Sequence, residues 1–392
     1  MRAAQFHAAR DIRITTTAPV PASPPPPGYV NIDIEWCGIC GSDLHEYLVG
    51  PLVIPTEKRP HPLTGESIPV TLGHEFCGRV SEVGPRESSN GTTGVNGNGH
   101  SNGSVNGGLK PGTPVMIDPR LNCQSCTSCT AANIPNPSSH ACSGRKTHLC
   151  DKWGFHGLSG RGGGLSEKVC VRADMVYALP DREDVLKHAA LIEPLAVARH
   201  AVKATGIENF GELNVLILGG GPIGLAVVQD LRVVGVKKLI VSEPTETRQK
   251  QVRKYVDVVL NPKSEDVPAR CKELTSGAGV DVVFDCAGVG PGMQSGMASL
   301  KVQGLYMNVA GWETPFTVPM QYWMMKELTL KASLAYDEED FAKTVQNSPK
   351  GLEDMVTARI ALEDAKVGGF DELVNNKDKH IKILVTPRRD LL

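Results

Sequence analysis

The chain has 392 residues, eleven cysteines, and 41 basic against 43 acidic side chains, for a net charge of −2. This length is too great for one ordinary hydrophobic core and predicts two domains. The balanced charge offers no basic field to nucleic acid. No stretch approaches the roughly 20 apolar residues of a membrane span, and the N-terminus carries no secretory signal. We therefore expect a cytoplasmic protein without nucleic-acid or membrane partners, whose cysteines are reduced thiols or metal ligands.

Residues 1–195 are rich in Gly, Pro, Cys and His, and their short apolar runs, such as YVNIDIEW and GTPVMID, predict a β-rich domain with many loops. In EWCGICGSDLHEY, Cys37 and Cys40 have C-x-x-C spacing, which suits a redox pair, half of a zinc site, or two cysteines with separate roles. Further on, His74 lies in LGHEFCG and Glu193 in LIEPLAV. Together with Cys40 they suggest a metal site, although a core histidine and a surface glutamate would be ordinary readings of each alone.

Residues 86–108 form a low-complexity segment in which 18 of 23 residues are Gly, Asn, Ser or Thr. Such a composition buries too little apolar surface to offset chain entropy, so we expect a disordered loop. It separates GRVSEVG from LKPGTPV, which look like neighbouring strands. A tolerated surface insertion is a simpler explanation than a functional lid.

A cysteine cluster follows this segment. LNCQSCTSC contains Cys123, Cys126 and Cys129, and Cys150 follows in THLCDKWGF. Four thiolates satisfy a tetrahedral structural zinc with no open position. We favour Cys150 as the fourth ligand, with Cys142 as the alternative, and ordinary surface cysteines are the competing interpretation of the cluster.

Residues 196–345 alternate strand-like runs (NVLILGG, KKLIVSE, VVLNP, VDVVFDCAG and GLYMNVAG) with helical patterns. This alternation predicts an α/β domain built on a parallel sheet. Residues 346–392 contain another helical piece and the strand-like HIKILVT, and we expect this tail to return to the first domain.

The sharpest motif is the G-x-G-x-x-G of Gly219, Gly221 and Gly224, which follows the apolar run NVLIL. Pro222 and Ile223 open a helical pattern, PIGLAVVQDLRVV, and proline is favoured at a helix start. In a dinucleotide site the three glycines make the tight turn, admit the pyrophosphate and allow the helix to pack on the strand. The helix N-terminus then faces the phosphates.

The cofactor preference depends on Glu243, which ends the second strand 19 residues after the last glycine. An acidic residue there accepts hydrogen bonds from a ribose and repels a 2′-phosphate, which favours NAD over NADP. Arg248 lies near the same ribose edge and leaves room for NADP. We expect the nicotinamide at the NVAG strand end, beside Val309, Ala310 and Gly311. A glycine-rich turn without a cofactor is the alternative.

Seven motifs occur in one order along the chain: CGICGSDLHEY, TLGHEFCGRV, GLSGRGGGLSEKV, LIEPLAVARHAV, LGGGPIGL, NVAGWE and SLAYDEEDF. On them the sequence resembles the zinc-dependent medium-chain dehydrogenase/reductase superfamily, in its polyol and 2,3-butanediol dehydrogenase branch. The resemblance implies a GroES-like catalytic domain and a Rossmann NAD-binding domain with the active site in the cleft, and a homodimer or homotetramer. The insertion and the long Cys129–Cys150 spacing depart from the family pattern, and the second departure leaves the structural zinc open.

The resemblance also implies the catalytic residues. Cys40, His74 and Glu193 match the ligands of the catalytic zinc, and Glu75 sits beside the metal, either as a ligand or exchanging with water. Because adjacent residues of a strand point to opposite faces, simultaneous binding by His74 and Glu75 would require a turn. Cys37 is then a buried, small apolar residue.

Three neighbours of Cys40 receive roles in the same way. Asp43 would accept the free ring N–H of His74 and fix its tautomer. Ser42 would exchange the proton of the substrate hydroxyl, and the cofactor ribose would carry it to His45. A plain turn residue and a surface histidine are the alternatives for Ser42 and His45.

The predicted function is a zinc-dependent secondary alcohol dehydrogenase that oxidises a vicinal diol, such as 2,3-butanediol to acetoin, by hydride transfer to NAD. A sorbitol or xylitol dehydrogenase shares the same motifs. A non-catalytic relative would lack one of the chemical residues, and a pathway-specific secondary-metabolite dehydrogenase would share the chemistry with another substrate.

Overall fold

The computed structural model describes residues 1–85, 108–131, 145–182, 184–312, 314–318, 320–347 and 352–392. The low-complexity segment, except Gly108, and the alternative ligand Cys142 lie outside these residues. No helix in the described ranges is long and apolar enough to cross a bilayer.

The N-terminal region is built mainly from short strands. They are β1 (Ala3–Ala8), β2 (Asp11–Thr15), β3 (Tyr29–Gly38), β4 (Val70–Thr71), β5 (Glu75–Val83), β6 (Pro114–Ile117), β7 (Arg120–Leu121), β8 (Gly154–Phe155), β9 (Lys168–Arg172) and β10 (Val176–Ala178). Its helices are α1 (Gly41–Val49), α2 (Thr127–Thr130), α3 (Leu186–Ala189) and α4 (Ile192–Ala204), with 3₁₀ turns at Thr147–Leu149 and Ala173–Met175.

The second region alternates strands and helices. Its strands are β11 (Asn214–Leu218), β12 (Lys238–Ser242), β13 (Val258–Leu260), β14 (Val280–Asp285), β15 (Leu300–Asn308) and β16 (Thr329–Ala332). Its helices are α5 (Pro222–Val234), α6 (Glu246–Val252), α7 (Val267–Leu274), α8 (Gly290–Ser299) and α9 (Met320–Lys326). All pairs are parallel, in the order β13-β12-β11-β14-β15-β16. This is the predicted Rossmann-type α/β sheet.

The C-terminal tail crosses back to the first region. It comprises α10 (Glu338–Gln346), β17 (Val356–Ala361), a π-helix (Ala365–Asp371), α11 (Glu372–Asn375) and β18 (Lys382–Thr386), with 3₁₀ turns at Leu352–Met355, Leu362–Asp364, Lys377–Lys379 and Arg389–Leu391. β18 is the predicted HIKILVT strand, whereas β17 was not predicted.

Both tail strands join the seven-stranded sheet, whose order is β10-β6-β5-β3-β18-β17, with β9 also on β3. β5 and β6, which flank the low-complexity segment, pair antiparallel as their sequences predicted. A smaller sheet, β2-β1-β4, and the pair β7-β8 complete the GroES-like, β-rich region.

Apolar packing follows from these layers. One core cluster fills the β-rich region, and two others cover opposite faces of the parallel sheet. The run Val215 to Leu218 is buried throughout, as expected for a central parallel strand covered by helices on both sides.

Candidate active site and metal centres

Strand pairing brings Cys40 and His74 together where β3 ends and β5 begins in the seven-stranded sheet. β3 ends at Gly38, two residues before Cys40, and β5 begins at Glu75, directly after His74. Since Gly38 pairs with Glu75 in the antiparallel register, the two candidate ligands leave their strands at the same point.

Two side chains of helix α1, those of Asp43 and Ser42, face the two ring nitrogens of His74. Cys40 caps α1, and its backbone N–H donates to Asp43 Oδ2 at 3.0 Å. Asp43 is fully buried, and its Oδ1 lies 3.4 Å from His74 Nδ1, although neither atom has a hydrogen bond in this arrangement. Ser42 Oγ is 3.1 Å from His74 Nε2. Nδ1 therefore faces the carboxylate, and Nε2 faces the Ser42 side.

Charge interactions link Glu193 to His74 and Glu75. Burial lowers the pKa of His74, but the charges of Asp43 and Cys40 outweigh this and raise it well above its usual value. Burial raises the pKa of Glu193, which the positive charge of His74 partly offsets. Glu193 is only 4% exposed in the first turn of α4.

These donors suit zinc chemically. A thiolate, an imidazole and a carboxylate are a ligand set that leaves a fourth position for substrate. An imidazole that binds a metal through Nε2 carries its proton on Nδ1, where Asp43 Oδ1 is ready to accept it. The ligand atoms of Cys40, His74 and Glu193 do not all lie within 4.8 Å of one another, so these side chains must move closer together to bind one metal ion.

The Glu75 carboxylate is held by a buried lysine, Lys382. Both Glu75 carboxylate oxygens accept from Lys382 Nζ at 2.7 Å, and Nζ also donates to the carbonyl oxygen of Ile39 at 3.1 Å. Both charged side chains are at most 1% exposed. The lysine thus engages the carboxylate that the sequence placed beside the metal.

His45 lies one helical turn after Ser42 on α1 and is half-buried. Residues three apart on a helix share a face, so its imidazole is on the Ser42 side of α1.

The four cysteines of the second metal site come together in space. The sulfur atoms of Cys123, Cys126, Cys129 and Cys150 all lie within 4.8 Å of one another. Cys126 Sγ is 3.5 Å from Cys129 Sγ and 3.9 Å from Cys150 Sγ. A zinc–sulfur bond of about 2.3 Å in a tetrahedron separates its sulfurs by about 3.8 Å. The cluster has the dimensions of a closed zinc site, and we call residues 120–131 and 145–150 the cysteine lobe.

A third group, His200, Asp337 and Asp340, also has metal-ligand spacing. Lys203 Nζ already donates to Asp337 at 2.9 Å and to Asp340 at 3.2 Å. Lys203 thus pairs with both carboxylates, and His200 Nδ1 lies 2.6 Å from Asp340 Oδ2, so the group forms an ion-pair and hydrogen-bond network.

The glycine motif forms the predicted strand–turn–helix. Gly219 follows β11 with φ of 93°, a backbone conformation that favours glycine. Gly221 caps α5, and Pro222 and Ile223 are its first residues. A Cβ at Gly224 would overlap the carbonyl oxygen of Gly219, so helix and strand meet too closely for a side chain.

Glu243 and Arg248 lie beside this turn. The Glu243 carboxylate accepts from Gly220 N–H at 2.6 Å and from Thr245 N–H at 2.8 Å. A Cβ at Gly221 would lie 3.5 Å from the Arg248 guanidinium. An acidic and a basic side chain therefore both border the place where the adenosine ribose would lie.

The NVAG segment closes the other side of the crevice. Val309 and Ala310 N–H donate to the Asp285 carbonyl oxygen at 2.9 and 3.0 Å, and a Cβ at Gly288 would lie 2.5 Å from the Gly311 carbonyl oxygen. The carboxyl ends of the central strands thus converge where a dinucleotide binds in open α/β sheets.

Sequence reasoning missed three buried residues near the site: Lys382, Tyr336 and Arg120. A signal for the first was present, because a lysine inside the apolar run IKILV implies a buried acidic partner. The other two depend on contacts between distant segments.

Comparison with known proteins agrees with this architecture. The family model of the alcohol dehydrogenase GroES-like domain matches residues 26–181, and that of the zinc-binding dehydrogenases matches residues 222–348. The (R,R)-butanediol dehydrogenase of Neisseria gonorrhoeae is 36% identical, with 99% of each chain covered. The D-xylulose reductase A of Aspergillus niger is 28% identical, covering 92% of this chain and 89% of the relative.

Solved structures give the same result. The 2R,3R-butanediol dehydrogenase of Bacillus subtilis superposes with a TM-score of 0.80 at 32% identity, covering 99% of each chain. A zinc-binding dehydrogenase from Sinorhizobium meliloti 1021 bound to NADP has a TM-score of 0.77 at 26% identity, covering 98% of this chain and 99% of that one.

A GroES-like domain joined to a dinucleotide-binding sheet defines a class of oxidoreductases that act on CH–OH groups. The chain belongs to the zinc-binding dehydrogenase family. Zinc and a nicotinamide cofactor are the groups with which this family works.

Proposed function

We propose that the protein is an NAD-dependent, zinc-dependent secondary alcohol dehydrogenase that interconverts a vicinal diol, such as 2,3-butanediol, with its acyloin. The observation that carries this proposal is the meeting of Cys40, His74 and Ser42 at one sheet edge, with Glu193 in the same electrostatic neighbourhood. Full-length similarity to (R,R)-butanediol dehydrogenases supports the diol as substrate.

Cys40, His74 and Glu193 would hold the catalytic zinc, and Cys123, Cys126, Cys129 and Cys150 a structural one. Zinc in the first site supplies a Lewis acid that acidifies an alcohol hydroxyl and polarises a carbonyl. Ser42 Oγ, beside His74 Nε2, accepts the substrate's hydroxyl proton, and His45 passes it toward solvent. Glu75, whose carboxylate is paired with Lys382, would lie beside the metal and either bind it or exchange with water.

The nearest competing substrate class is the polyols, which similarity to D-xylulose reductases favours. The test is a comparison of kcat/KM for 2,3-butanediol, xylitol and sorbitol with NAD. We expect the diol to be the best substrate. A clear preference for xylitol or sorbitol would replace the diol by a polyol while keeping the same chemistry.

We expect NAD to be preferred over NADP, and Glu243→Gln to reduce that preference. A carboxylate opposite a 2′-phosphate is a like-charge contact worth more than about 1.4 kcal/mol, so the ratio of kcat/KM values should fall by about tenfold or more. Glutamine keeps the acceptor for Gly220 N–H, which limits disturbance of the turn. Arg248→Gln is the control, since losing this cation should weaken NADP use only. If the ratio of kcat/KM for NAD to kcat/KM for NADP did not change in Glu243→Gln, another residue would determine the cofactor preference.

We also propose a homo-oligomer that forms through the β16 edge of the parallel sheet. Leu330 on this edge strand is 50% exposed, and Met324 and Met325 of the adjacent α9 are more than 70% exposed. An apolar edge strand of this kind favours pairing with a second copy. Leu330→Glu should shift the protein to monomers in light scattering, whereas Val233→Glu, at an exposed position near the end of α5, should not. An unchanged mass for Leu330→Glu would move the interface elsewhere.

We propose a cytoplasmic location, because the ten cysteines in the described part of the chain form no disulfide, as expected in a reducing compartment.

A further inference from the structure

Tyr336 is a fully buried residue whose hydroxyl has no hydrogen-bond partner in the described part of the chain. It lies between β16 and α10, and its ring packs on Phe341 with centroids 5.2 Å apart. A buried, unsatisfied hydroxyl costs about 1–3 kcal/mol. Such a group in a folded protein calls for an explanation, for example a partner in another state.

Tyr336 packs against the start of α4, which carries Glu193. It shares an apolar cluster with Ile192, the residue before Glu193, and with Ala196, three residues after Glu193. Helix α10, which begins two residues after Tyr336, also packs on α4. The tyrosine therefore lies at the turn of α4 from which the Glu193 carboxylate extends.

Arg120 fixes the position of Tyr336. Its Nη1 donates to the Tyr336 carbonyl oxygen at 2.6 Å, and its guanidinium carbon lies 4.9 Å from the centre of the tyrosine ring. The remaining donors bind Asp118 and, at 3.2 Å, Thr147 Oγ1. Arg120 precedes Cys123 by three residues, and Thr147 precedes Cys150 by three. The residues that fix Tyr336 therefore belong to the cysteine lobe.

A second set of contacts ties the same loop to the helix of Glu193. On α4, Lys203 donates to Asp337 and Asp340, and His200 Nδ1 lies 2.6 Å from Asp340 Oδ2. The loop that carries Tyr336 is thus bound to both the cysteine lobe and α4, and the hydroxyl stays at a fixed place relative to Glu193.

We propose that Tyr336 is a positioning residue for Glu193: its hydroxyl donates to the Glu193 carboxylate when that carboxylate turns to bind the catalytic zinc, and Arg120 holds the tyrosine in place. Metal-binding carboxylates are themselves hydrogen-bonded, and losing such a partner weakens metal binding by about 10–100-fold. The proposal rests on the proposed role of Glu193 as a ligand.

The test is Tyr336→Phe, which removes only the hydroxyl. The rate at which the full-length holoenzyme releases zinc to a chelator is measured. The Cys40→Ala protein lacks the catalytic zinc, so the kinetic phase that it does not show belongs to that zinc. We expect this phase to be about tenfold faster in Tyr336→Phe, with kcat reduced and the KM for NAD unchanged. Tyr177→Phe is the matched control, because Tyr177 also packs on Phe341, with ring centroids 5.0 Å apart, and its release should equal that of the wild type.

Arg120→Lys provides a second variant, which keeps the charge beside Asp118 but loses the grip on the Tyr336 carbonyl oxygen. Faster release of the same zinc in either variant supports the proposal. A Tyr336→Phe protein that releases its catalytic zinc at the wild-type rate and keeps the wild-type kcat would overturn the proposal. If Tyr336→Phe does not fold, zinc release at the wild-type rate in Arg120→Lys would overturn it. A wild-type protein that holds no catalytic zinc would instead contradict the proposed function, so the two failures are distinguishable.

Discussion

Cys40→Ala should lower NAD-linked alcohol oxidation by at least about three orders of magnitude, because loss of the Lewis acid removes several kcal/mol of transition-state stabilisation. The thiol lies at the start of α1, beside His74. Alanine fills less space and supplies no ligand. Initial rates with 2,3-butanediol and zinc counts per chain measure both effects, and the variant should lose one zinc.

Cys37→Ala is the matched control, three residues earlier in the same C-x-x-C. Cys37 is fully buried, and its sulfur occupies the space beside Gly73 and Gly164. Removing it should cost about 1 kcal/mol of stability and leave turnover near the wild-type value. Equal loss of activity in both variants would mean that the pair acts together, against the separate roles proposed.

Lys382→Met should lower the free energy of unfolding by about 3–5 kcal/mol, because it leaves the Glu75 carboxylate buried without its partner. The double variant Glu75→Leu, Lys382→Met should recover most of this loss, since it removes both buried charges. Denaturant unfolding of the full-length chain measures both values.

The control for this pair is Lys250→Met, which removes the partner of Glu246 in an ion pair whose two side chains are 74% and 81% exposed. Exposed ion pairs contribute about 0–1 kcal/mol, so this change should have little effect on stability. A Lys382→Met protein as stable as the control would show that Glu75 is neutral in the fold and that the ion pair is not a structural element.

Local features were predictable from the sequence. The helix that begins at Pro222 and the turn at Gly219 follow from backbone demands within a few residues, and both were found as predicted. Five of the six parallel strands were recognisable from their apolar runs. The edge strand β16 was not predicted, because most of its residues are exposed. β17 was missed because its alternating pattern, VTARIA, is short and half-exposed.

Long-range contacts were not predictable in the same way. Glu75 and Lys382 are 307 residues apart, and Arg120 and Tyr336 are 216 apart. Each contact exists because the tail returns to the first sheet or because α10 packs on α4, and a single sequence does not specify such pairings. The family resemblance implied that Glu75 lies near the metal. The sequence did not indicate which charged residue would pair with it.

The most direct measurement is zinc content and NAD-linked turnover of 2,3-butanediol before and after brief treatment of the purified protein with a chelator. We expect two zinc ions per chain, loss of turnover with removal of the first, and recovery when zinc is restored, with the four-cysteine site retaining its metal throughout. Full turnover after removal of the labile zinc would contradict the roles proposed for Cys40, His74 and Glu193.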